Sequence, residues 1–436
     1  MRKYPSYKPS GLDGIGDVPE LWEIIKLKYI AKIHNGQDQK TVLDENGQYP
    51  IYGSGGVFGY ANQYLFEGPS VLLGRKGTVD KPRLVLTPFW SVDTAYYTKI
   101  SKKISPYLFF HLCNQINFDY YMYGSAIPSM TARDLNEIKF PLPSLNEQNS
   151  IVRFLDHKTE QMDRFIASRQ TQIELLKEQL HFKINDAITK GINQKVKFKP
   201  TDIKYVPEIP EHWDIRKFKG LTSILTCGVA ATPEYVEESE GVAFLSAQNC
   251  RPFAMDLSKY NYIKPSLHKQ LTRYKKPQRG DVLVTRVGAG IGQACIIDTD
   301  LEFSVYVSLT HIRPNQEILS EYIVYFFNTE YCYQLNHEGT VVGGGQGNLN
   351  VKNVERYRIP IPPVQEQKEI IAYLDNFRKE MDNLISKYQK QIDLMQEYRT
   401  ALISQVVTGK IDVRGWEPKV RKYQTEELPI RMAAEK

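Results

Sequence analysis

No stretch of this chain reaches 18 uncharged apolar residues, so nothing in it reads as a membrane span. The basic start, MRKYPSYKPSGLDG, has no apolar run behind it; no signal peptide is expected, and the cytoplasm is the expected location. Five cysteines (Cys113, Cys227, Cys250, Cys295, Cys332) form no CxxC pair and show no zinc-like spacing with histidine. Free thiols in a reducing compartment and no metal site are therefore expected. Catalytic signatures are missing as well. There is no GxxxxGK[ST], HExxH, GxSxG or [DNS]PP[YFW] segment, and His34, His111 and His212 stand singly, in structural roles. Residues 284–298, VTRVGAGIGQACIID, carry Gly288, Gly290 and Gly292, but β-leaning ACIID follows where a dinucleotide loop needs a helix. A β-hairpin with a tight glycine turn is the expectation there, with no cofactor in this chain. A binding protein is what these absences leave.

What is present is a long globular composition. A chain of 436 residues asks for two or three domains, and 42% hydrophobic with 24% charged residues is that of a packed fold. A net charge of +6 permits a polyanionic partner without requiring one. The 28 tyrosines suit wet binding surfaces, where a ring stacks and its hydroxyl hydrogen-bonds.

The chain also repeats itself. PLPSLNEQNSIVRFLDHKTEQMDRFI (141–166) returns as PIPPVQEQKEIIAYLDNFRKEMDNLI (360–385), identical at Pro141, Pro143, Glu147, Gln148, Ile151, Leu155, Asp156, Met162, Asp163 and Ile166. Pro19 and Trp22 match Pro210 and Trp213, and GPSVLLGRKGTV (68–79) matches GDVLVTRVGAGI (280–291), Arg75 facing Arg286. Two tandem copies of one unit follow, the second with insertions between shared landmarks. Within each copy, residues 49–100 and 242–313 read as short strands with turn signals. A short helical stretch, a glycine-rich loop and a proline-rich turn into a long helix come next. The long helices carry an alternating 4/3 apolar seam: Leu155, Met162, Ile166, Ile173, Leu176 and Leu180, then Leu374, Met381, Ile385, Ile392, Met395 and Leu402. Ser144 with Glu147 suits a capping box, and Gly191 and Gly409 are natural stops. Tethering favours pairing inside the chain, antiparallel, with the modules at opposite ends of a rod about a pseudo-two-fold axis. The expected class is α+β: two tandem mixed α/β modules separated by a pair of long antiparallel coiled-coil helices.

One basic run, KPSLHKQLTRYKKPQRGDVLVTR (264–286), holds seven Lys and Arg against the single acid Asp281. It fits phosphate contact as well as a solvated face. Arg75, Lys76, Lys81 and Arg83 occupy the corresponding region of the first copy. Near the glycine loops, Tyr121, Ser125, Arg133, Gln346 and Asn348 suit base edges in a groove. Two rival readings stay open: a solitary DNA methyltransferase with atypical motifs, and a coiled-coil adaptor that binds only proteins.

Taken together, the PxxW entries, YGSGGVFGY, GPSVLLGRKG, FWSVDTAYY, GDVLVTRVGAGIG and the PLPSLNEQ and PIPPVQEQ turns resemble the specificity subunit of a Type I restriction–modification system, over essentially the whole chain. The resemblance implies target recognition domains at 1–143 and 198–362, each followed by a coiled-coil region (144–197 and 363–436), and no catalysis by this chain. It also implies a bipartite, asymmetric double-stranded DNA target, one half per domain. The helices would act as spacer ruler and as dock for two methyltransferase (modification) subunits, which carry S-adenosylmethionine, with restriction and motor subunits joining for cleavage. It does not fix base-reading residues. Those expected to contact DNA are Arg75, Lys76, Lys81, Arg83, Tyr121 and Arg133 in the first domain, and Arg273, Lys275, Lys276, Arg279, Arg286 and Gln346 in the second. The resemblance is silent on the tail VRKYQTEELPIRMAAEK.

Overall fold

The structure, a computed structural model, describes residues 2–418 apart from 13, 125, 194, 289, 339, 344 and 345; the side chains of 340–343 and 346 are outside the description too. Ser125, the Gln346 side chain and the C-terminal tail therefore lie outside the described residues. The chain divides into two compact units, Met1–Ser168 with Gln391–Lys436, and Arg169–Lys390.

The same topology is built in both. The first unit has an antiparallel sheet in the order Ala31–Asn35, Ala95–Ile100, Ser70–Gly74, Arg83–Val85. The second has Thr222–Cys227, Leu309–Pro314, Val282–Thr285, Ala294–Ile296 in the same order and sense. Every residue of Ser70–Gly74 and Val282–Thr285 is buried, which is why VLL and VLV read as continuous apolar runs rather than alternating ones. Gly288 and Gly292 take φ of 98° and 88° in the loop joining Val282–Thr285 to Ala294–Ile296, so the glycine motif is the hairpin turn expected of it.

A smaller sheet flanks each of these. Tyr49–Gly53 runs parallel to Trp90–Ser91 in the first unit, and Val242–Leu245 runs parallel to Phe303–Val305 in the second. One glycine at each crossing has no alternative. A Cβ on Gly36 would sit 2.0 Å from the Val92 carbonyl oxygen, and one on Gly228 would sit 1.9 Å from that of Val305. The second copy's inserted length includes a hairpin, Cys250–Arg251 with Ala254–Met255, and a helix, Pro265–Thr272.

Each proline-rich turn proves to contain a strand. Lys139–Leu142 pairs with Glu23–Lys26, and Arg358–Ile361 pairs with Asp214–Lys217. Pro141 and Pro360 are tolerated because each ladder has only two strands, so a missing N–H can face outward.

The long helices span Leu145–Lys190 and Val364–Val407. In the first unit, Ile151, Phe154, Leu155 and Met162 share a core with Leu402, Val406 and Val407, and Arg399 pairs with Asp163 at 3.1 Å. In the second, Ile184, Ala187 and Ile188 share a core with Ile370, Ile371 and Leu374. There Arg169 stacks on Tyr388 and Lys183 on Tyr373, so one helix's number rises as the other's falls, and the pairing is antiparallel. Every expected seam residue is buried or half-buried, while Leu394 and Tyr398 beside the seam are exposed.

The repeated EQ pair explains how each helix is seated. Gln148 is 1% exposed and Gln367 0%. Gln148 accepts the Ser105 N–H at 2.8 Å and donates to the Lys103 and Pro143 carbonyls at 2.9 and 3.0 Å. Gln367 accepts the Leu319 N–H at 2.9 Å and donates to the Glu317 and Pro362 carbonyls at 2.8 and 3.0 Å. A carboxamide is the side chain with both an acceptor and donors to close such a latch. Beside it, Glu147 accepts the Tyr4 hydroxyl at 2.7 Å and Glu366 lies 2.8 Å from His212 Nε2. At the other helix ends, Gly191 and Gly409 turn with φ of 77° and 75° under Trp213 and Trp22.

Candidate nucleic-acid interface

In each unit, a set of loops meets where the two sheets adjoin. In the first, the glycine turn 53–56 is tied down by Ser54 N–H donating to Thr94 Oγ1 at 3.3 Å. Arg75 N–H donates to the Thr94 carbonyl, and the Arg75 carbonyl accepts from Met130 N–H, both at 2.9 Å. Lys76 bridges to Ser129, and Gly77 N–H donates to the Pro128 carbonyl. The second unit repeats four of these contacts: Ala247 N–H to Ser308 Oγ at 2.9 Å, Arg286 N–H to the Ser308 carbonyl, Leu349 N–H to the Arg286 carbonyl, and Val287 bridged to Asn348. Each cluster leads into a short helix with a side-chain cap. Thr131 accepts from Asp134 N–H at 3.2 Å, and Asn350 accepts from Lys352 N–H at 2.9 Å.

Among the residues expected to contact DNA, the two aligned arginines share an internal task. Arg75 Nη1 donates to the Asp93 carbonyl at 3.2 Å and Arg286 Nη1 to the Val307 carbonyl at 3.3 Å, the residues preceding Thr94 and Ser308. Arg286 is 8% exposed and also donates to the Leu349 carbonyl and Asn348 Oδ1, both at 3.0 Å, so its guanidinium holds the hairpin strand Gln346–Leu349 in place. Arg75 stays half-buried, 6.0 Å from the Tyr96 ring. Lys76 and Lys81 are exposed, and Arg83 Nη2 approaches the glycine turn at Gly56. The structure thus brings Arg75, Lys76 and Arg83 together around one turn. Tyr121 instead lines a cleft of about 490 Å³ with Leu12, Leu112 and Glu137, and Arg133 is exposed on the short helix. Lys26 and Lys28 donate to Glu137 beside that cleft and hold its carboxyl down to about 2.

The basic run of the second unit is less bare than its sequence. Lys276 pairs with Glu302, Arg279 with Asp300 at 3.2 Å, and Lys264 with Glu234 at 2.7 Å. The balancing acids come from elsewhere in the chain, which a local count misses. Arg273 is exposed beside Tyr274, itself 78% exposed, and Lys275 donates to Thr226 Oγ1 at 3.0 Å. Beneath them Asp281, 4% exposed in its side chain, accepts from Arg313 at 2.8 Å and lies 2.7 Å from His311 Nε2. Burial works to raise the Asp281 carboxyl, but the Arg313 and His311 hydrogen bonds outweigh it and hold it below the usual range.

The same cluster of exposed loops is thus built twice, on supports that share most of their hydrogen bonds and differ in their tips. The family model for the Type I restriction modification DNA specificity domain matches residues 19–176 and 210–394, and the chain belongs to that family. It is thus the specificity component of a Type I restriction–modification system and not a catalytic one. Its relatives include the Type I restriction enzyme MjaVIII specificity subunit of Methanocaldococcus jannaschii, 24% identical over 91% of this chain and 94% of that protein. The EcoDI specificity subunit of Escherichia coli is 22% identical over 89% and 90%. In fold, the chain matches one from a structural study of complex assembly and conformational transition of the type I R-M system, with a TM-score of 0.68 at 16% identity, covering 90% of this chain and 99% of that one. Among the described residues, no helix is long and apolar enough to cross a membrane, and no group of His, Cys, Asp and Glu is arranged to hold a metal ion.

Proposed function

We propose that this chain reads a split, asymmetric site on double-stranded DNA, one half with each loop cluster, and docks two methyltransferase subunits that supply S-adenosylmethionine chemistry. Restriction and motor subunits join the same assembly in the cytoplasm. The recognition domains are 1–143 and 198–362; the helical regions 144–197 and 363–436 set the gap between half-sites and carry the partners. One observation supports this above others: the same hydrogen-bonded cluster occurs twice, with glycine at the tip in one unit and larger side chains in the other. In this reading Lys76, Lys81, Arg83, Arg273, Lys275, Lys276 and Arg279 meet phosphates, while Arg75 and Arg286 hold the loops that do the reading.

Mapping methylated sites in a genome, with the chain and its methyltransferase partner expressed together, tests the proposal. A bipartite motif that disappears without this chain is expected. Deleting one heptad from the first long helix should change the spacer and leave both half-sites intact; an unaltered spacer rejects the ruler. Replacing Lys275, Lys276 and Arg279 by Glu should weaken DNA binding and reduce its salt slope by about one per lost phosphate contact. An adaptor that binds only proteins predicts no change.

A further inference from the structure

The two clusters differ most where their hydrogen bonds agree best. Ser54 and Ala247 hold equivalent places, each donating its N–H to the hydroxyl of Thr94 or Ser308. Tyr52 and Leu245 match too, their carbonyls accepting from Val92 and Tyr306. Both pairs are offset by 193 residues (247 − 54 and 245 − 52), so Gly55 corresponds to Gln248. A Cβ on Gly55 would meet nothing within 4 Å. Where the first unit leaves that space empty, the second fills it with an exposed carboxamide.

The turn carrying Gln248 is held on every side. Its neighbour Asn249, 1% exposed, accepts the Ser246 N–H at 3.0 Å and donates to the Asp256 and Lys259 carbonyls at 2.8 and 2.9 Å. Asn249 N–H returns to Ser246, and Ala247 is pinned to Ser308. Among the described residues, the Gln248 side chain makes no hydrogen bond within the chain. An ordinary solvated glutamine needs no such mounting, whereas a reading residue does, because a held backbone reduces the entropy lost on contact. The Ser308 carbonyl accepting from Arg286 links the turn to Val287 and Asn348, so Gln248 belongs to the loop cluster.

We propose that Gln248 reads a base edge in the half-site of the second unit, and that the base is adenine. A carboxamide offers an acceptor and a donor side by side, matching adenine N6–H and N7 in the major groove. The first unit reads its own half-site without a side chain at this place. The inference rests on the DNA-reading function proposed above.

The test uses the full chain with its methyltransferase partner and compares methylated motifs for wild type, Gln248→Ala and Gln248→Leu. Both variants should keep the wild-type melting temperature, because Gln248 is exposed. One A·T position in one half-site should lose its preference roughly ten- to hundred-fold, with the other half-site and the spacer unchanged. An unaltered motif overturns the role of Gln248 while leaving the proposed function standing, and so does an equal loss at all sites. Failure of the wild-type chain to direct any bipartite motif strikes the proposed function itself. Gly55→Gln provides the reciprocal arm: it should add or alter a preference in the other half-site only, and an unchanged first half-site counts against the equivalence.

Discussion

Replacing Gln148 by alanine should unseat the first long helix. The carboxamide satisfies one backbone N–H and two backbone carbonyls, those of Ser105, Lys103 and Pro143, at a site 1% exposed. Alanine leaves all three in a buried place without their partner. At about 1 kcal/mol net for each, the loss is about 3 kcal/mol, more if water cannot enter. For a unit of roughly 200 residues, that corresponds to a fall in Tm of about 6–12 °C. Calorimetry on the purified chain measures it, with Asn149→Ala, one residue on and exposed, as the control expected to stay within about 0.5 kcal/mol. Gln367→Ala should cost the second unit a similar amount, since its three bonds match in kind and length. A shift under 2 °C for both variants would refute the latch.

Two further outcomes follow from the geometry. Arg286→Ala removes donors from two backbone carbonyls and from Asn348, and should destabilise the second unit by about 3 kcal/mol. Arg279→Ala breaks only an exposed pair with Asp300 and should cost less than about 1 kcal/mol; equal effects in denaturant unfolding would contradict the internal role of Arg286. Burial, assisted by Arg399, pushes the half-buried His111 imidazole down to about 4. Because this folded value lies below the unfolded one near 6.5, the unfolded chain takes up the proton first. The stability involved is fully present above pH 6.5 and is lost as pH falls toward 4, by at most about 3 kcal/mol. His111→Gln should flatten that limb of the stability–pH curve, and an unchanged slope would remove His111 as its cause.

The parts of this molecule that could be read from its sequence are those set by local periodicity or by repetition. The seam residues recur at helical spacing, and so the helices and their antiparallel pairing were accessible. The duplicated landmarks implied two like units. Features decided by tertiary partners were not accessible in the same way. The strand containing Pro141 exists because Glu23–Lys26 lies beside it, and proline normally argues against a strand. The basic run 264–286 looked unbalanced because Glu234, Asp300 and Glu302 stand outside it. Arg286 looked like a contact residue because nothing local reveals that Leu349, Val307 and Asn348 surround its guanidinium. Gln248 carried a weak signal: aligning SAQN with GSGG places it opposite a glycine, but only the shared bond to Thr94 or Ser308 fixes that register.

The first unit takes part of its core from the far end of the chain. Leu402, Val406, Val407, Ile411 and Val413 pack with Trp22, Leu108 and Leu155, and Asp412 N–H donates to the Arg2 carbonyl at 2.9 Å. The second unit is one continuous segment, Arg169–Lys390. On a ribosome the order of completion is therefore the reverse of the order of synthesis: residues 1–168 must wait, with an apolar face uncovered, until the helix Val364–Val407 has emerged. A chain cut after residue 390 and released should hold a finished second unit and a protease-sensitive first one, because the first unit's core is completed only by residues beyond that cut.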